Sequence, residues 1–130
     1  MKKQIFLLTA ILIIVFSSCK KENESPDIYG PWIALQSDAQ GQLFNVQLNI
    51  NTDNTYDWIL LESVEGHSNS TASFVLEGDI LKIIEDADCE GVGEYFVSVE
   101  SNKMALIAKN EACGPRAHAL EWVWKKYAEN

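Results

Sequence analysis

The alternation of apolar and polar residues with a period of two constrains the fold of this chain more than any other feature of its sequence. The pattern is clearest between residues 44 and 50, where every even-numbered residue is apolar and every odd-numbered residue is Asn or Gln. A period of two places successive side chains on opposite faces of a β-strand, so this segment is predicted to be a strand with one buried face. No stretch after residue 28 shows a convincing helical period, which indicates an all-β fold.

The same pattern recurs in short segments that are separated by turn signals. We predict strands near residues 29–36, 44–50, 56–60, 74–76, 81–83, 92–100, 104–109 and 117–125. Regularly spaced short strands are typical of a barrel or a sandwich, and closure into a barrel removes the exposed edges that promote aggregation. The sequence therefore predicts an eight-stranded antiparallel up-and-down barrel, in a chain of 130 residues that suits a single domain.

The lengths of the connections predict which end of the barrel is functional. Tight turns are predicted near 52–54, 77–79 and 101–103, and longer connections at 37–41, 62–69, 86–91 and 110–116. In an up-and-down barrel the connections alternate between the two ends, so the long loops share one mouth, where binding residues usually gather. Alternatively, these loops are long only because nothing constrains them. The residues expected at this mouth are Asp38, Glu65, His67, Asp88, Glu90 and Arg116.

The start of the chain predicts export and lipidation. A short basic segment precedes an apolar run from residue 5 to residue 16, which is too short to span a bilayer comfortably. The run ends in Phe-Ser-Ser-Cys, which resembles the lipobox of bacterial lipoproteins, where the cysteine is lipidated. The alternative is an ordinary signal peptide cut after Ser18. We expect a signal peptide over 1–18, a lipidated Cys19 with a flexible tether over 19–28, and the barrel domain over 29–130.

The three cysteines fit this interpretation. Lipidation of Cys19 leaves one pair, and an exported protein can oxidise such a pair. Cys89 and Cys113 lie about equally far, on opposite sides, from the turn predicted at 101–103. A hairpin closed by that turn brings them together at its open end, so a Cys89–Cys113 disulfide is predicted.

The charge of the chain argues against some classes of partner. The formal net charge is −9, and removal of Lys2 and Lys3 with the signal peptide makes it −11. A strongly acidic surface repels nucleic acid and anionic lipid, so no nucleic acid partner is expected. Membrane attachment would come from the acyl chains on Cys19, which places the protein in the bacterial cell envelope, on the outer membrane.

Several short motifs resemble a known family. Gly-Pro-Trp at 30–32 is similar to the Gly-x-Trp of lipocalins. Gly-Glu-Tyr at 93–95, Cys113-x-x-Arg116 and the Trp-rich last strand resemble small lipocalin-like domains of bacterial lipoproteins. The resemblance covers about residues 28–127, and it implies a barrel that binds a small hydrophobic ligand. One departure is that Lys125 and Lys126 stand where lipocalins have an arginine that packs over the first-strand tryptophan.

Aromatic side chains dominate the predicted interior. They are Trp32, Phe44, Tyr56, Trp58, Phe74, Tyr95, Trp122 and Trp124. Their bulk could line a pocket for an apolar ligand or fill the barrel completely. The candidate ligand-binding residues, in the interior and at the mouth, are Tyr56, Trp58, Tyr95, Trp122, Trp124 and Arg116. Arg116 has two interpretations: a ligand contact, or a clamp on loop carbonyls or on Glu90.

Other chemistry finds little support in the sequence. The segment 86–91 resembles the start of a calcium loop, but Val97 stands where an EF-hand needs its bidentate acid, so a solvated acidic loop is favoured. His67 and His118 lack metal-ligand spacing. Nothing brings any two of the carboxylates together as an acid–base pair, which favours surface roles. These carboxylates are Glu62, Glu65 and Glu121.

We therefore expect a binding protein without a metal or cofactor, not an enzyme. The leading function, implied by the resemblance, is binding a small hydrophobic ligand in a membrane-anchored lipocalin-like barrel. The alternative is a structural or interaction module with a filled barrel that contacts another envelope protein.

Overall fold

A computed structural model describes residues 24–128 of the chain. Its elements are β1 (Gly30–Ser37), β2 (Leu43–Ile50), β3 (Thr55–Leu60), β4 (Ser70–Glu77), β5 (Ile80–Asp86), β6 (Gly93–Glu100), β7 (Lys103–Asn110), α1 (Gly114–Leu120) and β8 (Val123–Lys126). Consecutive strands are antiparallel neighbours, and β8 pairs with β1 to close the barrel. The predicted eight-stranded antiparallel barrel is confirmed. The predicted signal peptide, Cys19 and tether residues 19–23 lie outside the described part of the chain.

The short and long connections lie at opposite ends of the barrel, as predicted. The turns after β2, β4 and β6 each contain a residue with positive φ, which tight hairpins require: Asn54 at 64°, Gly78 at 59° and Ser101 at 55°. At the other end, Gly66 from the loop after β3 and Arg116 from the segment after β7 line the same cavity. The prediction that these two residues share one end is therefore confirmed.

The core lies inside the barrel and contains the predicted aromatic side chains with one exception. Trp32, Phe74, Tyr95 and Trp124 are fully buried, and Phe44, Tyr56 and Trp58 are nearly so. Trp122, the residue before β8, is only half-buried, and its Nε1 donates a hydrogen bond to the carbonyl of His118.

The strand predicted over 117–125 is wrong in its first half, because residues 114–120 form a helix. Cys113 has an extended backbone, and Pro115 is tolerated in the first turn because an N–H there needs no helical partner. The alanines that follow favour helix. Arg116 and Leu120, one turn apart, are the buried face. A helix of two turns is too short to show a period in the sequence, whereas the Leu-x-Trp-x-Trp alternation at 120–124 imitates a strand.

This helix occupies the space that a longer β8 would fill at the mouth. β8 pairs with β7 only over Val123–Lys125, and with β1 only through Lys125 and Lys126. Nearer the mouth, α1 connects the two strands. His118 Nε2 lies 3.0 Å from the carbonyl oxygen of Ser37 on β1. The carboxylate of Glu121 accepts a hydrogen bond from the backbone N–H of Ala108 on β7.

A lysine closes the opposite end. Lys126 Nζ lies 4.6 Å from the centroid of the Trp32 ring and donates to the carbonyl of Tyr29. The Trp32 indole N–H donates to the carbonyl of Ile28, which is fully buried. Ile28, which the predicted boundary leaves outside the barrel domain, thus packs in the core of the barrel. A cation over an aromatic face contributes about 0.5–2 kcal/mol.

Candidate functional site

A cavity of about 340 Å³ opens at the long-loop end of the barrel. Its walls come from inward-facing positions on the strands: Phe44 on β2, Tyr56 and Trp58 on β3, and Ser70 at the start of β4. Leu120 of α1 adds an apolar side chain from above. This volume is near the lower limit of pockets that hold one small molecule, which run from about 300 to 1,000 Å³.

The interior is filled at one end and hollow at the other. Trp32, Met104 and Trp124 are buried side by side on the strand ends nearest the closed end, where Met104 and Trp124 are partners in the β7–β8 register. The cavity begins where β8 gives way to α1. The two possibilities that the sequence left open, a pocket and a filled barrel, are thus both realised, in different halves of the molecule.

A disulfide holds the helix over the cavity. Cys89, in the connection after β5, is bonded to Cys113, with a Cα–Cα distance of 5.9 Å, so the predicted pairing is confirmed. Cys113 is the residue that precedes α1, and Cys89 itself lines the cavity. The bond therefore attaches the beginning of the helix to the connection between β5 and β6.

Arg116 is a clamp, as one of its two interpretations proposed, but its main partner is Glu111 and not Glu90. Its Nε donates to Oε2 of Glu111 at 2.7 Å and its Nη2 to Oε1 at 2.8 Å, a bidentate pair. Nη2 also donates to the carbonyl of Gly91 at 3.2 Å, which is the expected loop carbonyl contact. Nη1 lies 3.6 Å from Oδ2 of Asp86. Arg116 is also one of the residues that line the cavity.

Burial and hydrogen bonding set the ionisation of this cluster. Burial acts to raise the pKa of the Glu111 carboxyl, but hydrogen bonds from Arg116, Tyr95 and the backbone N–H of Cys113 outweigh it and lower the pKa below its ordinary value. The Tyr95 hydroxyl donates to Glu111, and burial together with this bond raises its pKa. Burial and the nearby Asp86 charge raise the pKa of Tyr56. Both phenols therefore stay neutral at physiological pH.

Gly93 leaves the space in which the ion pair sits. A Cβ atom added at this residue would lie 2.8 Å from Nη2 of Arg116 and would overlap the carboxylate of Glu111. We expect Gly93→Ala to lower the free energy of unfolding by about 1–3 kcal/mol, because a buried ion pair must move to accommodate the methyl group. Urea denaturation of the full-length protein measures this change.

Gly114 offers a matched control, since a Cβ atom there meets no atom within 4 Å among the described residues. Gly114→Ala should leave the stability unchanged or slightly raised, because alanine favours helix over glycine. If Gly93→Ala and Gly114→Ala unfold at the same urea concentration, the clamp does not require the glycine.

A second polar group lies under the helix. Gln36 is 1% exposed, and its Nε2 donates to the carbonyl of Ala119 at 3.0 Å. Nε1 of Trp58 donates to the same carbonyl at 3.3 Å. Oε1 of Gln36 has no hydrogen-bond partner within residues 24–128, and the side chain lines the cavity.

The structure divides the predicted ligand-binding residues into two groups. Tyr56, Trp58 and Arg116 line the cavity. Tyr95 lies behind the cavity wall, bonded to Glu111, and Trp124 is buried with its indole N–H on the carbonyl of Leu120. Trp122 was displaced from the interior by the helix that precedes it.

The predicted mouth residues also fall into two groups, those that line the cavity and those that do not. His67, Asp88 and Arg116 line the cavity, whereas the half-buried Asp38 and the exposed Glu65 and Glu90 do not contribute to its wall. Sequence reasoning missed Gln36, Glu111 and the rim position of His118. Gln36 shares its strand face with Trp32 and Ala34, so the period of two could have found it. Nothing in the sequence indicated that Glu111 would turn inward.

The remaining sequence motifs have structural roles. In the calcium-like segment, Oδ1 of Asp86 accepts the backbone N–H of Asp88, and Oδ2 faces Arg116. Glu62 accepts from the backbone N–H of Asn45. Within residues 24–128, no three His, Cys, Asp or Glu side chains are grouped to hold a metal ion.

Compared with known protein families, with characterised proteins and with solved structures, the chain shows no significant match. No helix in residues 24–128 combines the length and apolarity needed to cross a membrane.

Proposed function

We propose that this protein is an exported, lipid-anchored, lipocalin-like binding protein that holds one small, largely apolar ligand at the barrel mouth, and that it is not an enzyme. The observation that carries this proposal is the cavity of about 340 Å³, with aromatic walls and a helix over it. Concave, mainly apolar sites with a few polar groups are the usual form of a small-molecule site.

The contact between Lys126 and Trp32 supports the lipocalin-like part of the proposal. The lysine lies over the first-strand tryptophan at the closed end, where the resemblance expects an arginine. The described chain enters the barrel at this closed end, through Ile28. An anchor on Cys19 would therefore leave the mouth directed away from the membrane.

Binding is tested by filling the cavity. Ser70 lies at the start of β4 and lines the cavity, so Ser70→Phe should occupy the space where the ligand sits. We expect tryptophan emission of the full-length protein to change when a ten-carbon amphiphile is added, because Trp58 lines the site. The titration should be lost in Ser70→Phe.

Val75→Phe is the matched control, since it places the same side chain on the outer face of the same strand. This variant should bind like the wild type. Equal binding by Ser70→Phe and Val75→Phe would mean that the cavity is not the site.

Anchoring is tested separately. Cys19→Ala should move the protein from the membrane fraction to the soluble fraction or leave it unprocessed, because acyl chains would supply the membrane affinity. A Cys19→Ala variant that fractionates with membranes like the wild type contradicts the lipoprotein proposal.

A protein partner in the cell envelope is a second candidate, favoured by an apolar patch on the outer face. Phe96 on β6 and Ile107 on β7 are register partners and are 44% and 58% exposed, and Val123 on β8 lies near them at 61%. A photo-crosslinker placed at Ala105, beside Val123, should then give one discrete product that Phe96→Ser with Ile107→Ser removes. A product that persists in this double variant argues against the patch.

A further inference from the structure

The charges around the cavity are unequal. Asp86 and Asp88 line it, and Arg116 is its one lysine or arginine among the described lining residues. The Arg116 charge is already engaged by Glu111 through two hydrogen bonds. With the histidines counted as neutral, Asp86, Asp88 and Glu111 carry three negative charges, and Arg116 carries the one positive charge.

An unpaired acceptor atom of Gln36 also favours a ligand that carries a hydrogen-bond donor. Oε1 of the buried Gln36 is a hydrogen-bond acceptor without a donor among the described residues. Its orientation follows from the amide nitrogen, which must face the carbonyl of Ala119. Oε1 has almost no accessible surface, so an N–H donor of a ligand reaches it only if the Gln36 side chain moves. A buried acceptor left without a donor costs free energy, and this cost favours such a movement.

Among residues 24–128, the other buried side-chain atom without a hydrogen bond is Nη1 of Arg116. This nitrogen does not make the cavity favour an anionic ligand. It lies 3.6 Å from Oδ2 of Asp86, whose side chain is 8% exposed. A carboxylate brought to this nitrogen would also meet the charge of Asp86, and like charges at short distance repel strongly where water is excluded.

We propose that the ligand is an organic ammonium, with its cationic head at Asp86 and Asp88 and its apolar part against the aromatic walls. This inference rests on the proposed function, because it specifies the ligand class of the same cavity. The faces of Phe44, Tyr56 and Trp58 suit an apolar chain, and they also attract a cation that lies close to them.

Three probes with the same ten-carbon chain test the proposal: decylammonium, 1-decanol and decanoate. Their dissociation constants are measured on the full-length protein at pH 7 by tryptophan emission and by calorimetry, at concentrations below micelle formation. We expect decylammonium to bind at least about tenfold more tightly than decanoate, with decanol between them. The carboxylates of Asp86 and Asp88 attract the ammonium head group and repel the carboxylate head group, whereas the alcohol is uncharged.

Two variants locate the preference. Asp86→Asn and Asp88→Asn should each reduce the ratio between decylammonium and decanoate several-fold. Asp88 is exposed, so its replacement should preserve the fold even if loss of the Asp86 charge disturbs Arg116. Asp79→Asn is the control: it removes one charge from the exposed turn at the closed end and should leave the ratio unchanged.

The outcomes separate this inference from the proposed function. Equal binding of the three probes, tighter binding of decanoate, or a ratio that both cavity variants leave unchanged would overturn the ammonium preference while the cavity remains a binding site. Failure of all three probes to bind would overturn both.

Discussion

Arg116→Met should lower the free energy of unfolding by about 3–5 kcal/mol, the largest effect that we expect from one substitution. The Glu111 side chain is 1% exposed and the Arg116 side chain 3%, so removal of the arginine leaves a buried carboxylate without its partner. Breaking a buried ion pair from one side typically has this magnitude. Urea denaturation at pH 7 measures it.

The double variant Arg116→Met with Glu111→Gln distinguishes loss of the ion pair from loss of volume. It removes both charges, so it should be more stable than Arg116→Met alone, because no uncompensated charge stays buried. If the double variant is as unstable as Arg116→Met alone, the guanidinium acts through its bulk and its bond to Gly91.

The ion pair also predicts a dependence of stability on pH. Hydrogen bonds lower the folded-state pKa of Glu111 below its ordinary value of 4.5. Its contribution to stability is therefore fully present above that value and is lost as the pH falls through the lower pKa of the folded state. The unfolding midpoint of the wild type should fall in this acidic range more steeply than that of Glu111→Gln. If the unfolding midpoints of the two proteins fall equally as the pH is lowered, Glu111 does not contribute this pH-dependent stability.

Removal of the disulfide should lower the free energy of unfolding by about 3 kcal/mol. Cys89 and Cys113 are 24 residues apart, and in the loop-entropy model a cross-link over such a loop has about this effect on the unfolded chain. Cys89→Ser with Cys113→Ser should therefore unfold at a lower urea concentration than the oxidised wild type.

A reducing agent provides the internal control for this prediction. The reduced wild type should match the double serine variant, and the variant itself should not respond to the reducing agent. The variant should also bind the ten-carbon probes more weakly, because the bond holds the beginning of α1 against the loop that carries Asp88. Two free thiols in non-reduced peptides of the purified protein would show that the bond does not form.

The period of two determined the barrel and most of its interior. Phe44, Tyr56 and Trp58 lie where the alternation places them, on inward positions of β2 and β3. The alternation is local and its physical cause is local, because each strand must bury one face and expose the other. The order of short and long connections likewise determined which loops share an end, since a barrel of antiparallel neighbours allows only one arrangement of its turns.

The mouth itself was decided by tertiary structure. The segment 114–120 carries no period long enough to indicate a helix, and it becomes one where Arg116 and Leu120 bury their side chains over an open barrel end. Glu111 turns inward because Arg116, Tyr95 and the space above Gly93 meet it there. Glu111 and Arg116 are only five residues apart, but Tyr95 and Gly93 come from β6, so no local pattern predicts that the four residues meet. The sequence alone thus determined a barrel and its two ends, whereas long-range packing of a short helix and a buried ion pair decided that one end is filled and the other holds a cavity.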